Sequence, residues 1–294
     1  MKAILLLALF AAAYAHEEHP VSHQMVETIR QHATTWEAME PHENPFYDWT
    51  VEEIKGMLGC DLTPIDGVNF PASPEPVEGE LASSYDFRTT GCANGVQDQG
   101  RCGSSWACGS TEALADRFCK AGNKQLHDLS SQYQVSCDRA NYGCQGGYLD
   151  KATDFLVHTG TTAETCNHYK SGAQGKTGTC PTKCDDGSSL KMYKCKTRVH
   201  PRTTSAIKKE IQDNGPVETG FTVYQDFMSY KSGVYRHTTG SSLGGHAIKV
   251  IGWGSDHWIA QNSWGTSWGE KGYFRIGYGE CGFEAQMYAC TPLL

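Results

Sequence analysis

The sequence predicts an α+β fold of two lobes with a cleft between them, and two features carry this prediction. Between about residues 104 and 160, apolar side chains recur at helical spacing. From about residue 221 to residue 276, short strand-like runs alternate with glycines that mark tight turns. At 294 residues and 39% hydrophobic content, the chain is long enough to bury a core in each lobe.

Residues 1–15 have the features of a secretory signal peptide. Lys2 precedes an apolar run from Ile4 to Ala13, and Ala13-Tyr14-Ala15 fits a small-residue cleavage site. The run is too short to span a bilayer, and no later segment approaches the roughly 20 apolar residues that a membrane helix needs. A buried N-terminal helix is the alternative. We expect a secretory-pathway protein without a membrane span, in an extracellular or a lysosome-like or vacuole-like compartment.

Residues 16–80 predict a removable propeptide. They carry 14 Asp and Glu residues against Arg30 and Lys55, a net charge of −12, whereas residues 81–294 carry +3. The acidic segment ends in a proline-rich stretch, 71–80, which predicts an exposed linker open to proteolysis. A solvated acidic face is the alternative, but a tail that packs on nothing would not carry four aromatic residues: Trp36, Phe46, Tyr47 and Trp49.

The pattern of residues 81–294 predicts one domain in which the helices precede the strands along the chain. The helical faces are Ala107, Leu114 and Phe118 in the first helix, Ala152, Phe155 and Leu156 in the second, and Ile207 and Ile211 in a third from about Thr204. Gly160 ends the second helix, and Asn214-Gly215-Pro216 ends the third. Strands are predicted at 221–224, 247–251, 258–261 and 273–276.

Composition excludes some functions. A net charge of −8 argues against binding to nucleic acid, which requires a basic surface. Thirteen cysteines are high for a cytosolic enzyme and indicate disulfides in an oxidising compartment. The spacing of Cys180 and Cys184 would also suit zinc, but the secretory context favours disulfides, so we expect no metal and no cofactor.

Four ordered motifs carry the chemistry. They are Gln99-Gly100-Arg101-Cys102-Gly103-Ser104-Ser105-Trp106, Gly143-Cys144-Gln145-Gly146-Gly147-Tyr148, Gly244-Gly245-His246-Ala247 and Gln261-Asn262-Ser263-Trp264-Gly265. The first resembles the active-site signature of papain-like cysteine proteases, C-G-[SA]-C-[WY]. Here the same frame is C-G-S-S-W, so Ser105 occupies the place of the nucleophilic cysteine.

Within that family the chain most resembles cathepsin B-like peptidases. The resemblance rests on Asp116-Arg117, Gly215-Pro216-Val217-Glu218 and Tyr230-Lys231-Ser232-Gly233-Val234-Tyr235, with Thr35-Trp36 in the short acidic segment. It implies a two-lobed papain-like fold, with a helical left lobe and a β-barrel-like right lobe. It also implies a propeptide that inhibits its own peptidase domain. The adjacent histidines of the cathepsin B occluding loop are missing, which predicts an open cleft of endopeptidase type.

The resemblance implies four catalytic positions. Ser105 would be the nucleophile, His246 its base and Asn262 the residue that orients His246, with Trp264 shielding that hydrogen bond. Gln99 and the backbone N–H of Ser105 would form the oxyanion hole. A hydroxyl has no accessible anion near neutral pH, whereas a thiol beside imidazole rests as a thiolate, so we expect negligible activity.

The resemblance also implies the substrate-binding residues. Gly146 and Gly147 would bind the substrate main chain, because a residue without Cβ allows close approach. The rest of the predicted set is Tyr148, Leu149, Ala247, Trp264 and Gln286. The neutral Gln286 replaces an acid of cathepsin B, which puts a preference for arginine in doubt. We expect a monomer whose partners are a peptide or protein substrate and its own propeptide.

By position, the resemblance implies disulfides Cys92–Cys119, Cys102–Cys144, Cys137–Cys180 and Cys166–Cys184. Cys60, Cys108, Cys195, Cys281 and Cys290 stay unassigned. Cys108, one turn after Ser105, is interpreted as a small buried hydrophobe rather than a substitute nucleophile.

Three functions remain open. The first is a secreted peptidase zymogen whose nucleophile has been replaced. The second is a pseudoprotease that binds peptides or proteins in the cleft without cutting them. The third is serine-based hydrolysis through Ser105 and His246.

Overall fold

The computed structural model describes residues 19–63, 70–71, 73–123 and 128–294. The predicted signal peptide, residues 1–15, lies outside them. The described residues form six α-helices and nine β-strands in the papain-like arrangement of a helical lobe beside a half-barrel sheet. Within this part of the chain, no helix is both long enough and apolar enough to cross a bilayer.

The helical lobe is built around one central helix. The lobe contains α3 (Ser105–Lys120), α4 (Ser131–Cys137) and α5 (Leu149–His158). Every residue of α3 from Ser105 to Cys119 is buried, because α4 and α5 cover one side and the second lobe covers the other. The first two helices predicted from the sequence are therefore α3 and α5, and the region between them holds a further short helix.

The second lobe is a twisted sheet whose longest strand is β6 (Ser242–Trp253). Its other strands are β4 (Val217–Tyr224), β5 (Tyr230–Tyr235), β7 (His257–Gln261) and β8 (Tyr273–Gly277). Strand β6 pairs antiparallel with β4 and β7, β7 pairs antiparallel with β8, and β5 runs parallel to β8. All four predicted strands lie in this sheet.

Short strands and one helix complete this part of the fold. Strand β2 (Tyr85–Asp86) pairs with β6, while β3 (Cys195–Val199) and β9 (Ala289–Pro292) form a separate ribbon. Helix α6 (Thr204–Asn214) begins where a third helix was predicted and ends before Gly215, whose φ is +112°.

Paired buried charges join the two lobes. The Asp116 carboxylate of α3 lies 2.7 Å from Lys249 Nζ of β6, and both side chains are fully buried. The neighbouring Arg117 forms a 2.9 Å ion pair with Glu210 of α6 and donates to the carbonyls of Gly215 and Pro216. Each charge is neutralised and hydrogen-bonded, as burial requires.

The N-terminal segment, residues 19–63, folds against the sheet lobe and runs into the cleft. It contains α1 (His23–His32), β1 (Trp36–Ala38) and α2 (Val51–Met57), and β1 extends the sheet by pairing antiparallel with β5. Trp36 and Phe46 are buried, Trp49 is half-buried, and Tyr47 is 40% exposed. The aromatic residues therefore pack as predicted, apart from Tyr47.

The predicted linker is only partly exposed. Val77 is 73% exposed, but Glu75 accepts hydrogen bonds from Thr203 and Ser205, and Glu80 pairs with Lys209. Hydrogen bonds and an ion pair thus hold the stretch on either side of Val77 against the start and middle of α6.

Five disulfides link the chain. The four implied by resemblance are present, and the fifth, Cys195–Cys290, joins β3 to β9 across 95 residues of sequence. Cys180 and Cys184 are both oxidised, which excludes the zinc alternative. Cys60, Cys108 and Cys281 are free thiols; Cys108 is fully buried, and burial raises the pKa of its thiol well above the usual value.

Candidate active site

Ser105 is the first residue of α3, where the backbone amides lack carbonyl partners within the helix. The preceding turn is fastened by the Cys102–Cys144 disulfide and by the Gly103 amide, which donates to the Cys144 carbonyl at 2.9 Å. The structure therefore presents Ser105 at a helix N-terminus whose position is set by two links to the Gly143–Gly147 region.

The Gln99 side chain is held from both lobes. Its Oε1 accepts a 2.7 Å hydrogen bond from Ser263 Oγ of the sheet lobe. Its Nε2 donates to the Cys102 carbonyl at 2.9 Å and to the Met57 carbonyl of the N-terminal segment at 2.8 Å. Because an amide nitrogen carries two hydrogens, the hydrogen not used by Cys102 is taken by Met57.

The hydrogen bond between His246 and Asn262 determines which ring nitrogen carries the proton. Asn262 Oδ1 lies 2.8 Å from His246 Nε2 and also accepts the Ser263 backbone N–H at 2.8 Å. A backbone N–H only donates, so the Asn262 atom must be oxygen and His246 Nε2 must carry hydrogen. His246 Nδ1 then presents an unprotonated lone pair, and it has no hydrogen-bond partner.

His246 sits in an apolar enclosure. The ring is fully buried, with its centroid 4.7 Å from Trp264 and 6.0 Å from Phe221. Burial lowers the pKa of His246 to about 4, although the Asn262 hydrogen bond acts in the opposite direction. The imidazole is therefore neutral near pH 7 and available as a base, with Trp264 beside it as predicted.

Ser105 and His246 do not form the hydrogen bond of a serine hydrolase. Ser105 Oγ accepts the Ala247 backbone N–H at 3.2 Å, while His246 Nδ1 is left without a donor. In a serine hydrolase the base nitrogen bonds the hydroxyl whose proton it removes. The two groups flank one site without the contact that would activate a hydroxyl.

The N-terminal segment lies along the glycines predicted to bind substrate. Gly147 N donates to the Gly59 carbonyl at 2.9 Å, and the Gly147 carbonyl accepts the Asp61 N–H at 2.9 Å. Across the cleft, Cys60 N donates to the Gly245 carbonyl at 3.1 Å. Residues 59–61 thus occupy both main-chain hydrogen-bonding edges of the cleft.

The predicted substrate residues separate into two neighbouring groups. Leu149 and Ala247 pack around the Cys60 side chain, and Gln286 Nε2 donates to the Leu62 carbonyl at 2.7 Å. Tyr148 instead makes a polar contact with the Asp61 carboxylate, which raises the pKa of the tyrosine hydroxyl. A Cβ on Gly146 would lie 3.2 Å from the Gly59 oxygen, which agrees with its predicted role as a site of close backbone approach.

Four residues beyond the predicted set also contribute. Ser263 holds Gln99, and the Gly245 carbonyl binds Cys60; both lie inside motifs that the sequence analysis singled out. Tyr169 donates its hydroxyl to the Gln99 carbonyl at 2.9 Å and lies 2.7 Å from Ser104 Oγ. Glu218 is buried near Cys60, and both its carboxyl oxygens lack partners. No local sequence signal marks Tyr169.

Comparison with known proteins agrees with this geometry. The profile described as papain family cysteine protease matches residues 81–291. Cathepsin B-like CP3 of Giardia intestinalis is 42% identical over 96% of this chain and 97% of that relative. Cathepsin B-like cysteine proteinase 4 of Caenorhabditis elegans is 34% identical over 98% of each chain.

A solved structure shares the architecture as well. That of proCathepsin B S9 from Trypanosoma congolense superposes with a TM-score of 0.86 at 29% identity, covering 94% of this chain and all of that one. The chain belongs to the papain family of cysteine proteases. Its relatives place it among the cathepsin B-like peptidases of that family, with the N-terminal segment in the arrangement of a proform.

Proposed function

We propose that this chain is a secreted zymogen of a cathepsin B-like endopeptidase, in which residues 16–80 are the propeptide and residues 81–294 the peptidase domain. One observation carries the proposal: Gln99 Nε2 donates to the Met57 carbonyl. The N-terminal segment thereby places a main-chain carbonyl against the group that would stabilise the oxyanion. Residues 59–61 also occupy the two cleft edges, so no substrate can enter until the segment leaves.

The site supports acyl transfer by a thiol in the place of Ser105. A cysteine there would pass its proton to His246 Nδ1, and the thiolate would attack the peptide carbonyl. Gln99 Nε2 and the amide of residue 105 would stabilise the oxyanion, and His246 would then protonate the departing amine. Water would release the acyl group.

With serine at position 105, this reaction stops at its first step, the removal of the proton from the nucleophile. The hydroxyl is not hydrogen-bonded to His246 Nδ1, and burial lowers the pKa of that imidazole to about 4, so it is a weak base. Attack would require removal of the proton of the Ser105 hydroxyl, whose pKa is far higher than that of a thiol. We therefore infer that the chain as it stands has little or no peptidase activity, and that serine-based hydrolysis is the weakest alternative.

The segment between Cys166 and Cys184 supports endopeptidase geometry. It packs on the helical lobe. Gln132 Oε1 accepts hydrogen bonds from the backbone N–H groups of Lys170 and Ser171, and the Arg101 N–H donates to the Gly172 carbonyl. The cavity around the Gly59–Leu62 stretch is lined by residues 142, 145–147, 222, 242, 244 and 245, none of them from this segment. A cleft not capped by this segment admits the interior of a polypeptide.

The five disulfides support a secretory route, because such bonds form and persist in oxidising compartments. We place the protein outside the cell or in a lysosome-like or vacuole-like compartment.

The decisive experiment is Ser105→Cys in the full-length chain. We expect it to cleave peptides after acidification and to be labelled at residue 105 by a thiol-directed epoxide, while Ser105→Ala and Ser105→Cys/His246→Ala stay inactive. A folded Ser105→Cys protein that neither cleaves nor labels would refute the proposal.

A pseudoprotease is the second candidate, favoured by the intact hydrogen-bonding edges at Gly147 and Gly245 beside an unactivated Ser105. It predicts that the unmodified chain, nicked within residues 73–80 and freed of its N-terminal segment, binds peptides. Calorimetry with peptide mixtures that detects no binding would eliminate this candidate.

A further inference from the structure

The acidic side chain of Asp61, in the N-terminal segment, occupies a defined position beside the cleft, which we call its seat. The Asp61 amide donates to the Gly147 carbonyl at 2.9 Å, and the Asp61 carboxylate makes a polar contact with the Tyr148 hydroxyl that raises the pKa of this tyrosine. Against the opposing effect of burial, the hydrogen bond from Thr63, the polar contact with Tyr148 and the charge of Lys151 hold the pKa of Asp61 below its usual value. The seat therefore favours the ionised carboxylate.

A lysine and two tyrosines form this seat. Lys151 Nζ lies 4.1 Å from the Tyr148 ring centroid and 5.9 Å from that of Tyr142, and the two rings meet edge to face at 6.5 Å. The rings hold the ammonium at the rim, since a cation over an aromatic face is attracted to it. One positive charge and one hydroxyl donor thus converge on the same place.

Two further carboxyl groups feel the charge of Lys151, and one of them, Asp138, is held by other partners. Asp138 is bonded to Asn141 Nδ2 at 2.8 Å and to the Ala140 amide at 2.9 Å. Asp150 is buried in α5, where the charge of Arg198 also acts on it and its Oδ1 has no hydrogen-bond partner. When the N-terminal segment leaves, Tyr148 and Lys151 lose the Asp61 carboxylate that faced them.

We propose that Tyr142, Tyr148 and Lys151 form a substrate subsite for an acidic side chain, next to the pocket that holds Cys60. This inference rests on the proposed peptidase function, because a substrate must replace residues 59–61 on Gly147. Aspartate or glutamate in the substrate would take the position of Asp61, accepting from Tyr148 and facing Lys151.

The first test needs no catalysis and uses the full-length Ser105 chain. Asp61→Lys and Lys151→Glu should each lower the hydrogen-exchange protection of the Cys60 amide by about 3-fold to 5-fold, as for an exposed ion pair. The charge swap Asp61→Lys/Lys151→Glu should restore most of that protection. Asp61→Lys combined with Lys183→Glu, a charge reversal at an exposed remote lysine, should not. A swap no better protected than the Lys183 control would overturn the subsite.

The second test measures selectivity in the Ser105→Cys enzyme with a positional peptide library. At one position, aspartate should be cleaved about 3-fold to 10-fold faster than asparagine by the Ser105→Cys parent and by Lys183→Glu, and this preference should vanish in Lys151→Glu. Equal ratios in all three proteins would overturn the subsite. If the parent cleaves nothing, the proposed function fails, and the charge swap alone decides whether the subsite exists.

Discussion

At the scale of single residues, the site holds an imidazole with an unpaired ring nitrogen and a hydroxyl that is not hydrogen-bonded to it. Asn262 fixes the proton on His246 Nε2, so the Nδ1 lone pair is available, yet Ser105 Oγ accepts the Ala247 amide. A thiol would lose its proton to that imidazole far more readily than a hydroxyl. Under the proposed function, Gln99, His246 and Asn262 therefore form a framework in which the side chain at position 105 decides whether chemistry occurs.

We predict that Tyr169 is a positioning residue for this framework. Its hydroxyl links the Gln99 carbonyl to Ser104 Oγ, and so it ties together the two sides of the oxyanion site. In the Ser105→Cys background, Tyr169→Phe should lower kcat about 10-fold with little change in KM, less than the 10²-fold to 10³-fold cost of removing an oxyanion donor itself.

Tyr193→Phe, a half-buried tyrosine remote from the site, is the matched control and should leave both constants unchanged. If kcat in Tyr169→Phe equals that of its parent at equal active-site titre, Tyr169 has no positioning role.

At the scale of elements, the N-terminal segment is held by close backbone contact as well as by charge. A Cβ on Gly59 would lie 1.9 Å from the Gly103 carbonyl oxygen, so only glycine allows the segment to pass the start of α3. The Glu53 carboxylate pairs with Arg101 at 2.5 Å, and Arg101 lies over the Trp49 ring at 4.4 Å. The opposite net charges of residues 16–80 and 81–294 suit such an ion pair, whereas the close approach of Gly59 to Gly103 involves no charge.

Gly59→Ala should therefore loosen the segment. Displacement of the backbone typically costs about 1–3 kcal/mol, so limited proteolysis of residues 19–63 should accelerate about 5-fold or more. Gly56→Ala is the control, because nothing lies within 4 Å of its Cβ position and alanine suits helix α2 better than glycine. Equal cleavage rates in the two variants would show that the close approach does not hold the segment.

At the scale of the whole molecule, the interface between the lobes makes stability depend on pH. Burial, with smaller contributions from Asp116 and Asp128, raises the pKa of Glu112 to about 8, although Lys249 acts in the opposite direction. Burial likewise raises the pKa of Glu164 to about 7 and that of Glu218 well above its usual value. The folded chain keeps these groups protonated where the unfolded chain ionises them.

Stability should therefore fall as the pH rises from about 4.5 to about 8, because the unfolded state releases protons that the folded state retains. Glu112→Gln, which cannot ionise, should flatten the decline in the urea midpoint between pH 5 and pH 8, leaving the part due to Glu164 and Glu218. Glu78→Gln, an exposed control, should follow the parent curve. A Glu112→Gln curve that coincides with the parent would contradict this origin.

The sequence by itself determined the parts of this protein that depend on local patterns. Helical spacing marked α3, α5 and α6, strand runs marked four members of the main sheet, and the motifs around Ser105, Gly147, His246 and Asn262 predicted which residues would meet. Four disulfides followed from resemblance alone.

Only the tertiary structure decided what depends on distant pairing. It joined Cys195 to Cys290 and placed the Tyr169 hydroxyl on the Gln99 carbonyl. It also brought the Met57 carbonyl to Gln99 Nε2 and Asp61 to Tyr148. Local periodicity reflects which face of an element is buried, whereas these contacts bring together residues tens of positions apart, and no local pattern records them. The sequence predicted that Ser105, His246 and Asn262 would lie together, and the fold showed that Ser105 is not hydrogen-bonded to His246.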